Sequence, residues 1–569
     1  MADASEGRLK EYARFLSMGV LALLFSELVL LAVWPIPLLD PDEPLFACVA
    51  REMIRSGDYV TPAFKGEPFY DRPALFYWLL VGSVFTLGDG DLAYRVPSLL
   101  LGMGTICCTS FIARDLFRRE ADSRPLSCQL DSTLVGAASA FVMATSIGGN
   151  VLLLGIGHDA ALVFFVSAAI WSGLRWQNGV KSDGGKTWAY ASLTGVLCGL
   201  ACLSKGLLGF LLPGLAICSV QWGMGKSLRL RELFVAIPIA LIVGGSWYVM
   251  MHAKHPDYVR YYLWERHVLG FLTRSQRHGD KPFWQYLPAL FAAACPWVLL
   301  VPARFGRSIP NGSWDRRILG LILWFLATFL FFAVAGSRNP TYLLPTMVPL
   351  VILFGAILSS WLTRVATGDD GKYGATWISR VRRLATRIPL FTLTAFLLAM
   401  PLVLLHFHRP ISQVAFVAVA SGTTLLAGLL LVGRLPQPEM FSLGSQCFVT
   451  LLLVAAAAVF VIPEIAKERS AESLVDRLRK IQTDGPILWF NHIPPSALYY
   501  GRELEFRRVY FDDIQIQPTV PTLLVTRESR LEEVSNTPFV AGAQHWDSGG
   551  KYHVFFCGPS HPRLANSER

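Results

Sequence analysis

Long apolar segments alternate with short polar loops along most of the chain. A transmembrane helix needs about 20 apolar residues, and most of these segments approach that length. They cover residues 15–37, 74–87, 96–113, 133–150, 158–174, 188–203, 206–222, 233–251, 286–303, 318–335, 341–362, 388–406, 412–433 and 446–462. The pattern predicts a polytopic α-helical membrane protein.

Positive charge in the loops predicts how these segments cross the membrane. Lys and Arg concentrate in cytoplasmic loops, and basic residues cluster at 8–14 and at 114–124. If both clusters are cytoplasmic, only one of the two intervening segments after residue 72 can cross. We therefore predict that 74–87 is a juxtamembrane helix. Thirteen crossings remain, with the C-terminus on the outer face.

Composition agrees with a membrane protein and excludes other classes. The chain has 569 residues, of which 53% are hydrophobic and only 16% are charged, so an ordinary soluble enzyme is excluded. The net charge of +10 lies mostly in the short loops, so it does not indicate a nucleic-acid partner. The ten cysteines form no CxxC pair and predict no disulfide framework. The first apolar segment lacks a small-residue cleavage site, which predicts a retained span.

The chain changes character after Pro463. The segment AKERSAESLVDRLRKI has helical spacing, and the short runs PILWF, RRVYF, TLLVT and YHVFF are typical of strands. We predict a transmembrane domain over 1–462 and a small outer α/β domain over 463–569. This second domain contains no catalytic motif, so we expect a structural lid or a module that handles the acceptor.

Polar groups from separate loops gather on the predicted outer face. The first outer loop, 38–95, carries a dense group of them between Asp40 and Arg72. Ionisable groups beside a membrane are costly and indicate a functional site. The candidates are Asp40, Asp42, Glu43, Asp71, Arg72, His158, Asp159, Lys205, Arg338 and Tyr342.

Asp42 is the strongest candidate for a general base. It begins a predicted helix, LFACVAREMIRSG, whose N-terminal dipole favours an ionised carboxylate. A carboxylate at this position is equally typical of an N-cap or a turn. The sequence alone leaves both roles open.

The other candidates also allow two roles each. Asp71 forms either a surface ion pair with Arg72 or, with His267, part of a divalent metal site. Lys205 and Arg72 either clamp a phosphate or extend toward the lipid headgroups. None of these residues by itself identifies the function of the protein.

One outer loop breaks the charge rule. Residues 252–285 carry six Lys or Arg residues and four His residues on the outer face. Long loops translocate largely regardless of charge, which is one explanation. We favour a basic surface, including Arg274, that meets a phosphate or an anionic headgroup, since Arg suits phosphate recognition.

Several motifs together resemble a known family of bacterial glycosyltransferases. They are DPDEPLFACVAREMIRSGDYVTPAFKGEPFYDRPALFYWL, YRVPSLLLG, HDAALVFF, LSKGLLGF, WERHVLGF, HGDKPFWQYLPAL and SRNPTYLLP. The pattern is similar to that of enzymes that use polyprenyl-phosphate sugars, typified by the 4-amino-4-deoxy-L-arabinose lipid A transferase. These are related to the protein O-mannosyltransferases. The resemblance covers nearly the whole chain.

The resemblance implies a GT-C fold and transfer of a sugar, with inversion, from an undecaprenyl phosphate carrier to an envelope acceptor such as lipid A. It implies a location in the bacterial inner membrane with a periplasmic active site. The implied roles are catalysis by Asp42, donor-phosphate binding by Arg72, Lys205 and Tyr342, an acidic cavity position at Asp159, and Zn, Mg or Mn binding by Asp71 and His267. From their outer-face positions we add Arg274 to the phosphate-binding residues and Glu43 to the acidic cavity positions.

Some positions depart from the family pattern. Leu45 stands where the family often has Arg, and Asp71-Arg72-Pro73 stands where it has Glu-Lys-Pro. Gly270 replaces a basic residue. Arg in place of Lys turns a point charge into a planar fork, so the donor sugar and the acceptor do not carry over from the family.

Two other functions fit a chain of this kind. A protein O-glycosyltransferase of the same superfamily would share the scaffold. A transporter or flippase of lipid-linked sugars would also need many spans, but it would be expected to show inverted repeats and ionisable groups inside the spans. Here the charges lie at the outer ends of spans, which favours an enzyme.

Overall fold

The computed structural model describes eleven stretches of the chain. They are residues 2–33, 37–118, 130–179, 184–270, 282–298, 316–335, 339–367, 469–481, 486–518, 520–547 and 551–557, with residues 443, 450, 465 and 466 described singly. The predicted segments 388–406, 412–433 and 446–462 lie outside this part of the chain, apart from residue 450.

The membrane part of the structure is a bundle of helices. They are α1 (Ala2–Val33), α2 (Asp42–Ser56), α3 (Leu75–Leu87), α4 (Asp91–Leu116), α5 (Ser132–Ala144), α6 (Ile147–Leu154), α7 (His158–Asn178), α8 (Gly184–Lys205), α9 (Leu208–Met224), α10 (Leu233–Lys254), α11 (Tyr286–Ala294), α12 (Arg316–Val334) and α13 (Leu344–Thr367). A π-helix, Arg260–Leu269, follows α10, and a short hairpin pairs β1 (Ala63–Phe64) with β2 (Glu67–Pro68).

Within the described residues, six helices are long and apolar enough to cross a membrane. They lie at Glu6–Val29, Asp91–Leu116, Gly185–Lys205, Leu233–Lys254, Arg316–Val334 and Pro340–Thr367. The 13-residue α3 is among the shorter apolar helices, which agrees with the juxtamembrane helix predicted at 74–87. The chain is therefore a multi-pass membrane protein with a largely helical fold.

The sequence suggested one continuous span at 133–150, but the structure breaks it. Helices α5 and α6 meet at a 70° bend. The Ser146 hydroxyl accepts a hydrogen bond from the Gly149 backbone N–H (3.1 Å) and so caps a new helix. A side-chain cap inside an apolar run carries little hydropathy signal, which is why the periodicity missed the bend.

Small residues allow the long helices to approach each other closely. A Cβ at Gly223 of α9 would overlap the backbone of Gly320 in α12, and a Cβ at Gly355 of α13 would overlap Ser139 in α5. In lipid, helices associate through this kind of close packing, because apolar side chains gain little from leaving lipid for protein. These contacts fix the bundle that carries the polar loops.

The C-terminal region folds into a small α/β unit. Five strands form a sheet in the order β4-β3-β5-β7-β6. The strands are β3 (Ile487–Phe490), β4 (Phe506–Val509), β5 (Thr522–Arg527), β6 (Gln544–Asp547) and β7 (Tyr552–Cys557), with helices α14 (Glu472–Lys480), α15 (Pro495–Tyr500) and α16 (Leu531–Ser535). The helix and the four strands predicted after Pro463 are confirmed, and β6 is an additional strand.

This α/β unit is fastened to the first loop. The backbone N–H and the hydroxyl of Ser496 both donate to the carboxylate of Asp40 (3.0 and 2.6 Å). The hydroxyls of Tyr499 and Tyr500 donate to Asp91 (2.9 and 3.0 Å). Because each of these contacts joins residues more than 400 positions apart, the loop before α2 takes its shape partly from the C-terminal unit.

Replacing Ser496 with Ala should loosen this attachment. The Ser496 side chain is fully buried, and its loss leaves the Asp40 carboxylate with one partner fewer, at a cost of roughly 1–3 kcal/mol. Limited proteolysis of the purified protein should release the C-terminal unit faster. The exposed Ser535→Ala is the matched control, and equal cleavage rates for the two variants would contradict the attachment.

Candidate active site

Asp42 is the first residue of α2 and is exposed. The helix presents Phe46, Val49 and Met53 to the protein interior and ends at Gly57, whose φ of +70° suits glycine. In the described part of the chain, Asp42 makes no hydrogen bond or ion pair. The predicted helix start is confirmed, and the Asp42 carboxylate is available to a ligand.

The carboxylate of the neighbouring Glu43 is fully engaged in an ion pair and in hydrogen bonds. Its carboxylate accepts from the Arg95 guanidinium (3.1 Å) and from the backbone N–H groups of Leu39 (3.0 Å) and Ile156 (3.4 Å). Arg95 also donates to the carbonyl of Pro37 (2.9 Å). Glu43 therefore anchors the start of α2, whereas Asp42 beside it stays unpaired among the described residues.

Sequence reasoning did not single out Arg95. It lies on α4 and is only 5% exposed. A buried arginine beside lipid needs a partner, and Glu43 supplies it. In the sequence, Arg95 is a single arginine next to an apolar segment, in the motif YRVPSLLLG, and this isolated charge could have marked it as a candidate.

Three predicted residues from separate elements meet at one point. The Lys205 ammonium, at the end of α8, pairs with the carboxylate of Asp159 in the first turn of α7. The same ammonium lies over the Tyr342 ring, 4.4 Å from its centroid. The Lys205 side chain is only 7% exposed. Asp159 and Tyr342 thus hold a buried positive charge in a fixed place.

The first loop adds Arg72 to this group. The positive charge of Arg72 interacts with the charges of Asp71 and Asp159 and with the hydroxyls of Tyr342 and Tyr262. Its side chain is 23% exposed. Two cations, from the first loop and from α8, therefore share one region with Tyr342 and Asp159.

Asp71 faces arginines. It forms an ion pair with Arg266 of the π-helix and a longer one with Arg72, whose Nε lies 3.9 Å from Asp71 Oδ2. Arg266 is therefore part of this group of charges. The sequence did not distinguish it from the other basic residues of 252–285. Arg274 of that loop lies outside the described residues.

His267 packs beside the same group. Its Nδ1–H donates to the Tyr262 carbonyl (2.7 Å), and its ring contacts the Tyr262 ring. Burial lowers the pKa of His267, which favours the uncharged ring.

The described residues do not assemble a metal centre around Asp71 and His267. The Asp71 oxygens meet two guanidinium groups, and His267 uses Nδ1 for a backbone carbonyl. Among the described residues no group of three or more His, Cys, Asp or Glu side chains is placed to hold a metal. The predicted metal remains a prediction, and no chemical step is assigned to it.

Aromatic side chains form the wall beside these charges. The His158 ring lies 4.9 Å from each of the rings of Phe46, Phe76 and Tyr77. Burial raises the pKa of Tyr77, and Asp71 and Asp42 raise it further while Arg72 opposes them. Asp42 therefore shares the electrostatic environment of Tyr77 with Asp71 and Arg72.

This wall contains buried polar atoms that need partners. The hydroxyls of Tyr77 and Tyr262 and the Nε2 of His158 have no hydrogen-bond partner among the described residues. Such atoms are costly unless water or a ligand satisfies them. Sequence reasoning named His158 as an outer-face group but missed both tyrosines, because isolated aromatic residues in apolar runs look like packing residues.

Comparison with known proteins agrees with this architecture. Residues 71–248 match the family model described as dolichyl-phosphate-mannose-protein mannosyltransferase. That stretch includes Asp71, Arg72, Asp159 and Lys205. The chain is also 32% identical, over 335 residues, to undecaprenyl phosphate-alpha-4-amino-4-deoxy-L-arabinose arabinosyl transferase 2 of Pseudomonas fluorescens (57% of this chain, 56% of the relative).

A second relative and a solved structure extend the comparison. The chain is 30% identical, over 383 residues, to the undecaprenyl phosphate-alpha-4-amino-4-deoxy-L-arabinose arabinosyl transferase of Edwardsiella ictaluri (64% of this chain, 62% of the relative). The chain thus spans less than two thirds of the length of these curated relatives. The crystal structure of ArnT from Cupriavidus metallidurans bound to undecaprenyl phosphate matches with a TM-score of 0.69 at 18% identity, covering 95% of this chain and 99% of that one.

The fold is therefore the one that the motifs implied. The sequence matches cover part of the chain, whereas the structural match covers nearly all of it. The chain is similar in sequence to the arabinosyl transferases over part of its length, and it has the GT-C fold of ArnT.

Proposed function

We propose that this protein is an inverting glycosyltransferase of the bacterial inner membrane. It moves a sugar from an undecaprenyl phosphate carrier to an envelope acceptor such as lipid A. Relatives named as arabinosyl transferases and the fold shared with ArnT support this proposal. The departures at Leu45, Asp71 and Arg72 leave the donor sugar open.

The observation that carries the proposal is the arrangement of Arg72, Lys205 and Tyr342 around one region close to the first loop. The two cations come from different elements, and Asp159 and Tyr342 hold one of them in place. A phosphate diester or monoester is an anion that such a pair of cations binds well. The unpaired Asp42 shares the environment of Tyr77 with Arg72.

The proposed reaction is a single displacement at the anomeric carbon. An acceptor oxygen forms the new bond while the bond from that carbon to the carrier phosphate breaks, so the configuration inverts. Negative charge grows on the departing phosphate, and Arg72 and Lys205 stabilise it. Asp42 accepts the proton of a hydroxyl acceptor, or orients an acceptor phosphate that is already ionised.

We also propose thirteen crossings and a periplasmic α/β domain. The six long apolar helices and the short α3 support the charge-based topology. The attachment of the C-terminal unit to the loop before α2 supports a location on the same side as Asp42. The active site and this unit then both face the periplasm.

Two other functions make different demands. A flippase would carry lipid-linked sugars between leaflets without changing them, and it would not need an unpaired carboxylate at the start of α2. A protein O-glycosyltransferase would use the same donor and would label polypeptide in place of lipid. Product analysis separates the three functions.

Replacing Asp42 with Asn should abolish sugar transfer. The amide keeps the size of the side chain but cannot accept a proton as a carboxylate does. Transfer is measured by mass spectrometry of acceptor lipid in vesicles supplied with carrier-linked sugar. Glu67→Gln, an exposed carboxylate of the same loop, is the control. Transfer by the Asp42→Asn variant at the control rate would show that the Asp42 carboxylate is not required for sugar transfer.

Replacing Lys205 with Met should weaken donor binding. Losing one charge-assisted contact to phosphate should raise the donor KM by roughly tenfold or more. Lys205→Arg, which keeps the charge, should retain part of the affinity. Lys226→Met, at a partly exposed lysine hydrogen-bonded to Asn178, is the matched control. An unchanged donor KM in the Lys205→Met variant would exclude Lys205 from the phosphate site.

Replacing Gly206 with Ala should disturb the same site through the backbone. Gly206 has φ +72°, and a Cβ there would overlap the His267 ring. The turn after Lys205 must shift, so transfer should fall by roughly tenfold or more even though no charge changes. Gly214→Ala, which meets open space, is the control. Equal activity of the two variants would show that the turn does not position Lys205.

A further inference from the structure

The carboxyl edge of the C-terminal sheet is a second concentration of positive charge. Strand β3 is parallel to β4 on one side and to β5 on the other. The chain passes from β3 to β4 on one side of β3 and later forms β5 on the other side, so the strand order reverses at β3. In open α/β sheets, ligands bind beyond the carboxyl ends of strands at such a switch point.

Side-chain alternation places two arginines on one face of this edge. Phe506 of β4 and Val525 of β5 belong to the same buried cluster as Trp489 of β3. Because strand residues two apart share a face, Arg508 and Arg527 lie on that same face. Both are near the carboxyl ends of their strands.

The first loop contributes a lysine to the edge. Lys65 lies at the tip of the β1–β2 hairpin with φ +60°, and the next residue, Gly66, donates its N–H to Glu52 of α2 (2.7 Å). Burial lowers the pKa of Lys65, and the charge of Arg508 lowers it further. The hairpin therefore places Lys65 within electrostatic range of Arg508.

His492 lies just beyond β3, and its pKa is affected by the charges of this edge. Burial lowers its pKa, and the charges of Arg527, Lys65, Arg508 and Lys551 lower it further. Four cations, one from the first loop and three from the C-terminal unit, therefore lie within electrostatic range of one imidazole. Assembling them without an anion is unfavourable, since like charges repel.

Three of these cations, Lys65, Arg508 and Arg527, have no carboxylate in direct contact within the described part of the chain. In the described part of the chain, Lys65, Arg508 and Arg527 form no ion pair within 4.0 Å, and the buried Nε of Arg527 has no hydrogen-bond partner. The carboxylate of Asp40 lies close enough to affect Arg527 and Lys551, so this one carboxylate faces several cations. The edge therefore fits a further anion.

We propose that this edge binds a phosphate group of the acceptor, with Arg508, Arg527 and Lys65 as its ligands. Guanidinium forks match phosphate oxygens, and Lys65 adds a point charge. Asp40 joins this edge to the loop that begins α2, so an acceptor held here lies beside the segment that carries Asp42. The assignment rests on the proposed transfer to a phosphorylated envelope acceptor.

Binding and transfer are measured separately to test it. Full-length protein in phosphatidylcholine nanodiscs is titrated with labelled lipid A, with dephosphorylated lipid A, and with inorganic phosphate as competitor. Arg508→Gln and Arg527→Gln remove one charge each. Arg507→Gln is the matched control, because the neighbouring side chain lies on the opposite face of β4. Arg508→Lys tests rescue by charge.

The wild-type protein should bind lipid A more tightly than its dephosphorylated form. Each Gln variant should weaken lipid A binding by roughly tenfold and raise the acceptor KM similarly, with donor KM and unfolding temperature unchanged. Arg507→Gln should behave as wild type, and Arg508→Lys should recover part of the affinity. Together these results support the site.

Two results would overturn it: equal loss in the Arg507 and Arg508 variants, or equal affinity for both forms of lipid A. Competition by inorganic phosphate is expected, and lipid A binding that excess phosphate leaves unchanged would also contradict a phosphate site. Phosphate-dependent binding in a wild-type protein that transfers no sugar would support the site and sink the proposed function. Transfer that ignores Arg508 would sink the site alone.

Discussion

The pairing of buried charges is the constraint on which the rest of this structure depends. An ion removed from water beside a membrane is costly unless a partner and further hydrogen bonds satisfy it. Arg95 and Glu43 meet this requirement for the first loop, and Lys205 and Asp159 meet it for the region beside α7 and α8. Each pair joins separate elements, so the pairs position the loops as well as stabilising them.

This constraint explains the contrast between Asp42 and Glu43. The two carboxylates are adjacent in sequence, yet Glu43 is held by Arg95 and two backbone N–H groups, while Asp42 has no partner among the described residues. The anchored Glu43 fixes the start of α2, and Asp42 beside it stays exposed. The C-terminal unit adds a second anchor at Asp40, so distant parts of the chain fix the same short segment.

Much of this site was predictable from local sequence. The helix that begins at Asp42, the short α3, and the helix and strands after Pro463 all follow from apolar periodicity and turn residues. The charge-based topology placed Lys205, Asp159 and Tyr342 on one face of the membrane, and the motif resemblance assigned them to one cavity. The structure adds the direct contacts among them. The 70° bend between α5 and α6 escaped prediction, because one serine cap decides it within an apolar run.

The sequence by itself determined a multi-pass helical chain, the outer polar loop and its candidate residues, because hydropathy and charge are properties of local segments. Only the tertiary structure decided which candidates meet. It paired Asp71 with Arg266 and Glu43 with Arg95, and it placed Lys65, Arg508 and Arg527 within electrostatic range of His492. Such pairings depend on helix packing and strand order over hundreds of residues, and those long-range contacts are not encoded in any single segment.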